Sequence, residues 1–370
     1  MRILVAMSGG VDSSTVAGQL HEAGHEVIGV TLQLYDHGAA TGRKGACCAG
    51  QDIHDARRVA DHLGISHYVI DAEHRFAEAV IRDFADSYAA GETPVPCMRC
   101  NQTVKFADLG ALALGLGCER LATGHYVQRI DGPDGPELHQ AADLTRDQSW
   151  FLFATTRAQL AQSLFPLGGM ASKQAVRAEA ERLRLPVASK PDSQDICFVP
   201  SGNYAEKVIR LRPDGGTAGD IVSRDGRVLA RHDGIARYTV GQSKRLGVAS
   251  FDGTQRQVVV ALDSQHRRVI VGPRNAGSQT VHLREVNWLV PADGPIACAV
   301  KLRAREIAQP ATVIPHAGAT ATVTLAMPAL PAPGQACVFY RGSRILGGGI
   351  ICREQIDAVA KPGLSAAPFA

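Results

Sequence analysis

Ser8-Gly9-Gly10-Val11-Asp12-Ser13-Ser14 decides how the chain is read, because of what lies on either side of it. Before it runs a short apolar stretch, Ile3 to Met7, and after it a helical pattern from Ser13 to Ala23. A Gly-rich turn between a strand and a helix aims backbone N–H groups and the positive end of the helix dipole at one point, which suits phosphate. No Gly-Lys-Ser/Thr follows, so this is not the P-loop of kinases, and the glycine spacing is not that of a dinucleotide fingerprint. The plainer reading is a tight turn with a serine N-cap.

Further strands are expected at Glu26 to Leu32, His67 to Asp71 and Arg120 to Thr123. Helices are expected at Gln51 to Leu63, Arg75 to Ala89 and Val104 to Leu116. Strands alternating with helices imply an α/β doubly wound parallel sheet, in which ligands gather beyond the carboxyl ends of the strands. The segments after Met7, Leu32 and Thr123 should therefore converge. Arg157 to Leu185 reads as helical, broken at Phe165-Pro166-Leu167-Gly168-Gly169. From about Gly215 the texture turns to short β-rich runs. Those from Val281 onward, at 296 to 302, 311 to 314, 319 to 325, 336 to 340 and 345 to 351, imply a small antiparallel barrel. The expected domains are 1–205 (catalytic), 206–273 (a small central, β-rich domain) and 274–370 (a C-terminal β-barrel).

Composition narrows the class. At 45% hydrophobic and 20% charged, the 370 residues are those of an ordinary globular protein, and no apolar run at the start is long enough to span a membrane. Nine cysteines, an odd number without a signal pattern, argue for reduced thiols in the cytoplasm rather than a disulfide framework. Charge is segregated: residues 1–205 carry 18 Lys and Arg against 24 Asp and Glu, whereas 206–370 carry 21 against 12. A basic second part points to a polyanion, and 31 of the 39 basic residues are arginine, whose planar fork suits phosphate. A GC-rich genome would account for the arginine excess but not for the segregation.

Pro94-Val95-Pro96-Cys97-Met98-Arg99-Cys100-Asn101-Gln102-Thr103-Val104-Lys105-Phe106 sets two thiols just before a helix, where the dipole lowers a thiol pKa. Lys190-Pro191-Asp192-Ser193-Gln194-Asp195-Ile196-Cys197-Phe198 carries a third in a polar loop. Cys118, Cys298, Cys337 and Cys352 read as packing residues, and Cys47 and Cys48 stay unassigned.

Taken in order, the Ser-Gly-Gly-Val-Asp-Ser loop, Cys-Asn-x-x-x-Lys-Phe, Ala122-Thr123-Gly124-His125-Tyr126, Asp147-Gln148-Ser149, Asp-x-x-x-Ile-Cys-Phe, Tyr238-Thr239-Val240-Gly241-Gln242 and Pro333-Gly334-Gln335 resemble the tRNA-specific 2-thiouridylase family, over nearly the whole length. The first of these motifs is the loop of PP-loop ATP pyrophosphatases. The resemblance implies that ATP adenylates C2 of a wobble uridine, in tRNAs for Lys, Glu and Gln. Sulfur then replaces the oxygen, and AMP and pyrophosphate leave. It implies ATP contacts at Ala6, Met7, Ser8, Gly9, Gly10, Val11, Asp12 and Ser13, at Leu32 and at Gly124, with magnesium near Asp12 and Ser14 helping to bind pyrophosphate. Cys197 would receive sulfur as a persulfide from a donor of the cysteine-desulfurase relay. Cys100 would then free it, leaving a Cys100–Cys197 disulfide for a reductant to open. The tRNA contacts would be His125, Arg146, Asp147, Gln148, Arg303 and Gln335.

Two departures matter. The family's Asn-Pro-Asp, whose Asp is a proposed acid/base, reads Val95-Pro96-Cys97 here, and a Lys-x-Arg-Tyr contact reads Lys301-Leu302-Arg303-Ala304. Three rival readings stay open: a [4Fe-4S] cluster on Cys97, Cys100 and Cys197 performing the same thiolation; a PP-loop amidotransferase or ligase acting on a small molecule; and a noncatalytic RNA-binding module.

Overall fold

The structure is a computed structural model that describes residues 1–35, 48–192, 196–199, 203–247 and 257–353. Cys47, most of the 39–50 loop and the tail after Lys361 lie outside the described residues.

Strand β1 (Arg2–Ala6) sits in the middle of a five-stranded sheet, flanked by β2 (Glu26–Gln33) and β4 (Arg120–Ala122), with β3 (Ser66–Asp71) and a short strand Ser163–Leu164 outside them. Every pairing is parallel, with Val5 opposite both Gly29 and Ala122. Ile3, Leu4 and Val5 are fully buried, as a parallel strand covered on both faces requires. Helix α1 (Val11–Glu22) packs on one face beside the helix Lys173–Arg182, and α2 (Cys48–Leu63) lies next to it. The expected strands appear within a residue or two of their predicted bounds.

The helix expected at Val104 to Leu116 starts earlier. It begins at Pro96, runs through Cys100, opens into wider π-type turns over Asn101–Asp108 and ends at Gly115. Both thiols thus lie inside it, Cys97 in the first turn and Cys100 at the start of the second, rather than ahead of it. Proline at the first helical position removes no needed donor, which is why the helix can start there. A second π-type stretch, Ala77–Arg82, interrupts the helix Glu73–Ala89.

The central unit is a four-stranded sheet in which Gly219–Ser223 pairs antiparallel with Val228–His232 and parallel with Arg268–Pro273. Beyond it, six antiparallel strands from Ser278 to Ile351 close into a barrel through the pairing of Ser278–Trp288 with Arg344–Ile351. A hairpin of β5 (Val127–Gly132) and β6 (Gly135–Gln140), which belongs in sequence to the first unit, extends the barrel sheet at its Arg344 edge. One hydrophobic cluster accordingly includes Leu4, Val30, Phe106 and Leu121 of the first unit together with Leu289, Val338 and Ile345 of the barrel. The two units share a core.

Candidate functional site

At the carboxyl ends of β1, β2 and β4 a cleft of about 240 Å³ opens, lined by Ala6, Met7, Ser8, Asp12, Ser13, Val30, Leu32, Leu34, Lys105, Leu109, Thr123, Gly124, His125 and Gln148. Seven of the ten residues expected at ATP border it, with His125 and Gln148 from the expected RNA set. The N-cap of α1 is Gly10, and no side chain caps the helix. Its first-turn N–H groups are left for a ligand, which disposes of the serine-cap reading. Ser8 N donates to Ser13 Oγ at 3.1 Å, drawing the loop into a ring. Ser14 is fully buried and its hydroxyl donates to the Gly10 carbonyl at 2.8 Å, so it braces the turn instead of facing a phosphate.

Gly9 has φ +73°, and a Cβ there would collide with the Asp52 carbonyl of α2. Replacing Gly9 by alanine combines a strained φ with that collision, about 1–3 kcal/mol in total. Calorimetric titration should show ATP binding weakened at least tenfold, and wild-type affinity would mean the loop geometry is not what binds. Gly124 is similarly tight, since a Cβ would lie 2.9 Å from Ser13 N.

Asp12 is held by two partners. Lys173 Nζ donates to both of its oxygens, at 2.7 and 2.8 Å, and the Tyr126 hydroxyl donates to Oδ1 at 2.6 Å. Among the described residues no group of three His, Cys, Asp or Glu side chains is arranged to hold a metal ion, although Cys97, Cys100 and Cys197 are all described. Lys173 is nearly buried and reaches on to Asp192 at 2.9 Å, where Arg146 and Arg177 also bind. Lys190 contacts Asp52 and Asp55 at 2.7 Å each and donates to the Gly9 carbonyl at 3.0 Å. The segment leading to Cys197 is therefore fastened twice to the phosphate loop. Burial pushes the Asp192 and Asp55 carboxyls up, but their lysine partners outweigh it and hold both below the ordinary range.

Cys100 is buried and packs with Val104, Phe198 and Val199. Burial pushes its thiol and that of Cys97 up, and Lys105 opposes the shift without cancelling it. The helix N-terminus does not leave these thiols acidic, contrary to the expectation from sequence. Cys197 is exposed as a residue, yet its thiol is pushed up to about 12, first by desolvation and then by Cys100 and Cys97. A raised thiol pKa keeps the neutral form at pH 7, so alkylation of Cys197 should quicken roughly tenfold per pH unit between about pH 7 and 10. Peptide mass spectrometry after timed alkylation measures this, and a pH-independent rate would contradict it. Cys118 and Cys337 are buried, while Cys298 and Cys352 are half-buried.

His125 lies in the cleft, stacked on Phe106 at 6.0 Å, with Nδ1 2.8 Å from the Thr123 hydroxyl. Burial, with Lys105 adding to it, holds it neutral, well below its ordinary pKa. The remaining expected RNA contacts are engaged within the protein. Asp147 accepts from Gln140 Nε2, Ala141 N, Ser149 N and the Ser149 hydroxyl. Arg303 pairs with Glu306 and donates to the Val240 and Leu330 carbonyls. Gln335 donates to the Thr93 carbonyl at 3.0 Å, and Arg99 pairs with Glu285 at 2.8 Å, so the barrel grips both ends of the turn that opens the cysteine helix.

The sequence reading did not assign Lys105, Lys173 or Lys190. A cation at the first position of a helix, where the dipole disfavours it, was the available signal for Lys173.

Family profiles match in chain order: the HUP domain of tRNA methyl transferases over residues 1–201, their PRC-barrel domain over 212–273, and an aminomethyltransferase β-barrel domain over 278–351. The tRNA-specific 2-thiouridylase MnmA of Acidiphilium cryptum is 67% identical over 352 residues, covering 95% of this chain and 100% of that protein. The protein of the same name from Gluconobacter oxydans is 60% identical over 358 residues, covering 95% and 99%. That from Rhodospirillum centenum is 56% identical over 376 residues, covering 100% and 95%. The profile descriptions speak of methyl transfer and the relatives' names of thiolation, and identity at this level over the full length decides between them: the chain belongs to the tRNA-specific 2-thiouridylase family.

Proposed function

We infer that the protein uses ATP to activate a uridine of tRNA at C2 and replaces the oxygen with sulfur carried on cysteine. The observation that carries this reading is the position of one side chain. Lys105, five residues after Cys100 on the widened helix, lines the same cleft as the uncapped phosphate loop, so the thiols and the nucleotide site adjoin. ATP would lie along Ala6 to Ser13, Leu32 and Gly124, with its phosphates at the α1 N-terminus. AMP transfer to O2 turns a poor leaving group into a good one. Cys197 would bring sulfur as a persulfide, and attack by Cys100 would release it to C2, leaving a Cys100–Cys197 disulfide. Neutral His125 can donate or accept one hydrogen bond beside the base. Arg146, an expected RNA contact, is exposed although it pairs with Asp192.

The finer parts of the reading are a sulfur donor of the cysteine-desulfurase relay, the wobble uridine of Lys, Glu and Gln tRNAs, domains at 1–205, 206–273 and 274–370, and a cytoplasmic setting that keeps nine thiols reduced. No helix among the described residues is long and apolar enough to cross a membrane. Incubating anaerobically purified protein with ATP, tRNA lacking 2-thiouridine and a persulfide donor should give 2-thiouridine and AMP in equal amounts. ATP cleavage without thiolation would favour a small-molecule ligase, and iron required for turnover would favour a cluster.

A further inference from the structure

Cys97 has no part in the two-thiol scheme, yet it stands three residues before Cys100 in the first turn of the helix Pro96–Cys100. Helix geometry sets the Cα atoms of such a pair about 5 Å apart, within the span a disulfide bridges. Cys97 is exposed and Cys100 buried, and both are free thiols, as is Cys197. The Cys197 segment reaches the same place, because Ile196, Phe198 and Val199 pack in one cluster with Cys100. The Phe198 ring meets Phe76 and Phe84 edge-on at 5.7 and 5.2 Å, fixing that segment against the cysteine helix. Lys105 opposes the rise in pKa at all three thiols.

We propose that Cys97 is the resolving thiol of the catalytic cycle, attacking Cys100 in the Cys100–Cys197 disulfide so that Cys197 is released while the oxidised pair moves to Cys97–Cys100. This rests on the two-thiol reading above. In the step Cys97 gives up its proton and its sulfur bonds to Cys100 Sγ. The Cys100–Cys197 bond breaks with its electron pair on Cys197, which takes a proton, so there is no net oxidation. An external dithiol then reduces the Cys97–Cys100 bond at Cys97, the exposed residue of the pair, and ends as its own disulfide. The arrangement answers a problem of access. Cys100 is buried, so a reductant could reach the original disulfide only through Cys197 and would block the sulfur acceptor. A neighbouring thiol instead acts at an effective concentration of the order of mM or above.

The test is one turnover of the persulfidated full chain with ATP and unmodified tRNA, quenched by alkylation and mapped without reduction. Wild type should carry Cys97–Cys100 with Cys197 alkylated, whereas Cys97→Ser should carry Cys100–Cys197. With excess dithiol, the steady-state rate of Cys97→Ser should fall roughly tenfold below its own first-turnover rate. Cys97→Ala, melted alongside, separates loss of the thiol from loss of the fold. A quenched wild type holding only Cys100–Cys197, or either variant cycling at the wild-type rate, overturns the proposal and spares the two-thiol scheme. Thiolation that leaves no disulfide in any pairing overturns both.

Discussion

Replacing Cys100 by serine is expected to lower 2-thiouridine formation by about a thousandfold or more, while the first AMP transfer survives. The serine hydroxyl fits the small buried site among Val104, Phe198 and Val199, so the melting temperature should hardly move, but it cannot form the sulfur–sulfur bond that sulfur release from Cys197 needs. A rapid-quench assay that follows adenylated tRNA and thiolated tRNA together separates the two steps. Adenylate should accumulate in the variant and not in the wild type. Retained thiolation would remove Cys100 from the chemistry.

Lys173→Met should have the next largest effect. The substitution leaves Asp12 and Asp192 facing each other without the ammonium that binds both. Breaking a buried pair by removing one partner costs roughly 3–5 kcal/mol, the lower figure applying here because both carboxylates are partly exposed. A drop of the order of 5–10 °C in melting temperature follows, together with weaker ATP cleavage, because Asp12 belongs to the phosphate loop. The effect should depend on pH. Asp192 is held below its ordinary value in the folded protein, so its contribution is complete above about pH 4 and is lost as pH falls through the lowered value. Wild type and variant should therefore converge in melting temperature under acid. A variant that melts with the wild type at pH 7 would show that the ion cluster carries no stability.

The parts of the fold written in local sequence were legible. β1, its turn and α1 could be read because an apolar run, two glycines and a helical pattern follow one another within about twenty residues. The barrel strands could be read from short apolar runs between turn residues. The start of the cysteine helix could not. Pro94, Pro96 and the polar run Asn101 to Thr103 hide its periodicity, and the grips that hold it, Gln335 on Thr93 and Glu285 on Arg99, come from 242 and 186 residues away. The same distance hides the internal partners of polar side chains. Gln335, Arg303 and Asp147, which the family resemblance offers as RNA contacts, bond carbonyls and amides inside the protein, partners that the sequence cannot show. Lys173 was overlooked for the complementary reason, its carboxylate partner in the phosphate loop lying 161 residues earlier.

The hairpin Val127–Gln140 sets an order on how the chain comes to be finished. Its β6 edge is closed by Ser343 and Arg344: the Gln140 amide donates to the Ser343 carbonyl at 2.8 Å and Arg344 pairs with Glu137 at 2.9 Å. During synthesis those partners leave the ribosome some two hundred residues after the hairpin does. Until then the hairpin presents an unpaired backbone edge, and the apolar faces of Trp150, Leu152 and Phe153 lack the barrel residues they pack against. The nucleotide-binding half therefore spends most of its translation time as an adhesive intermediate, and a chain cut before Arg344 stays one.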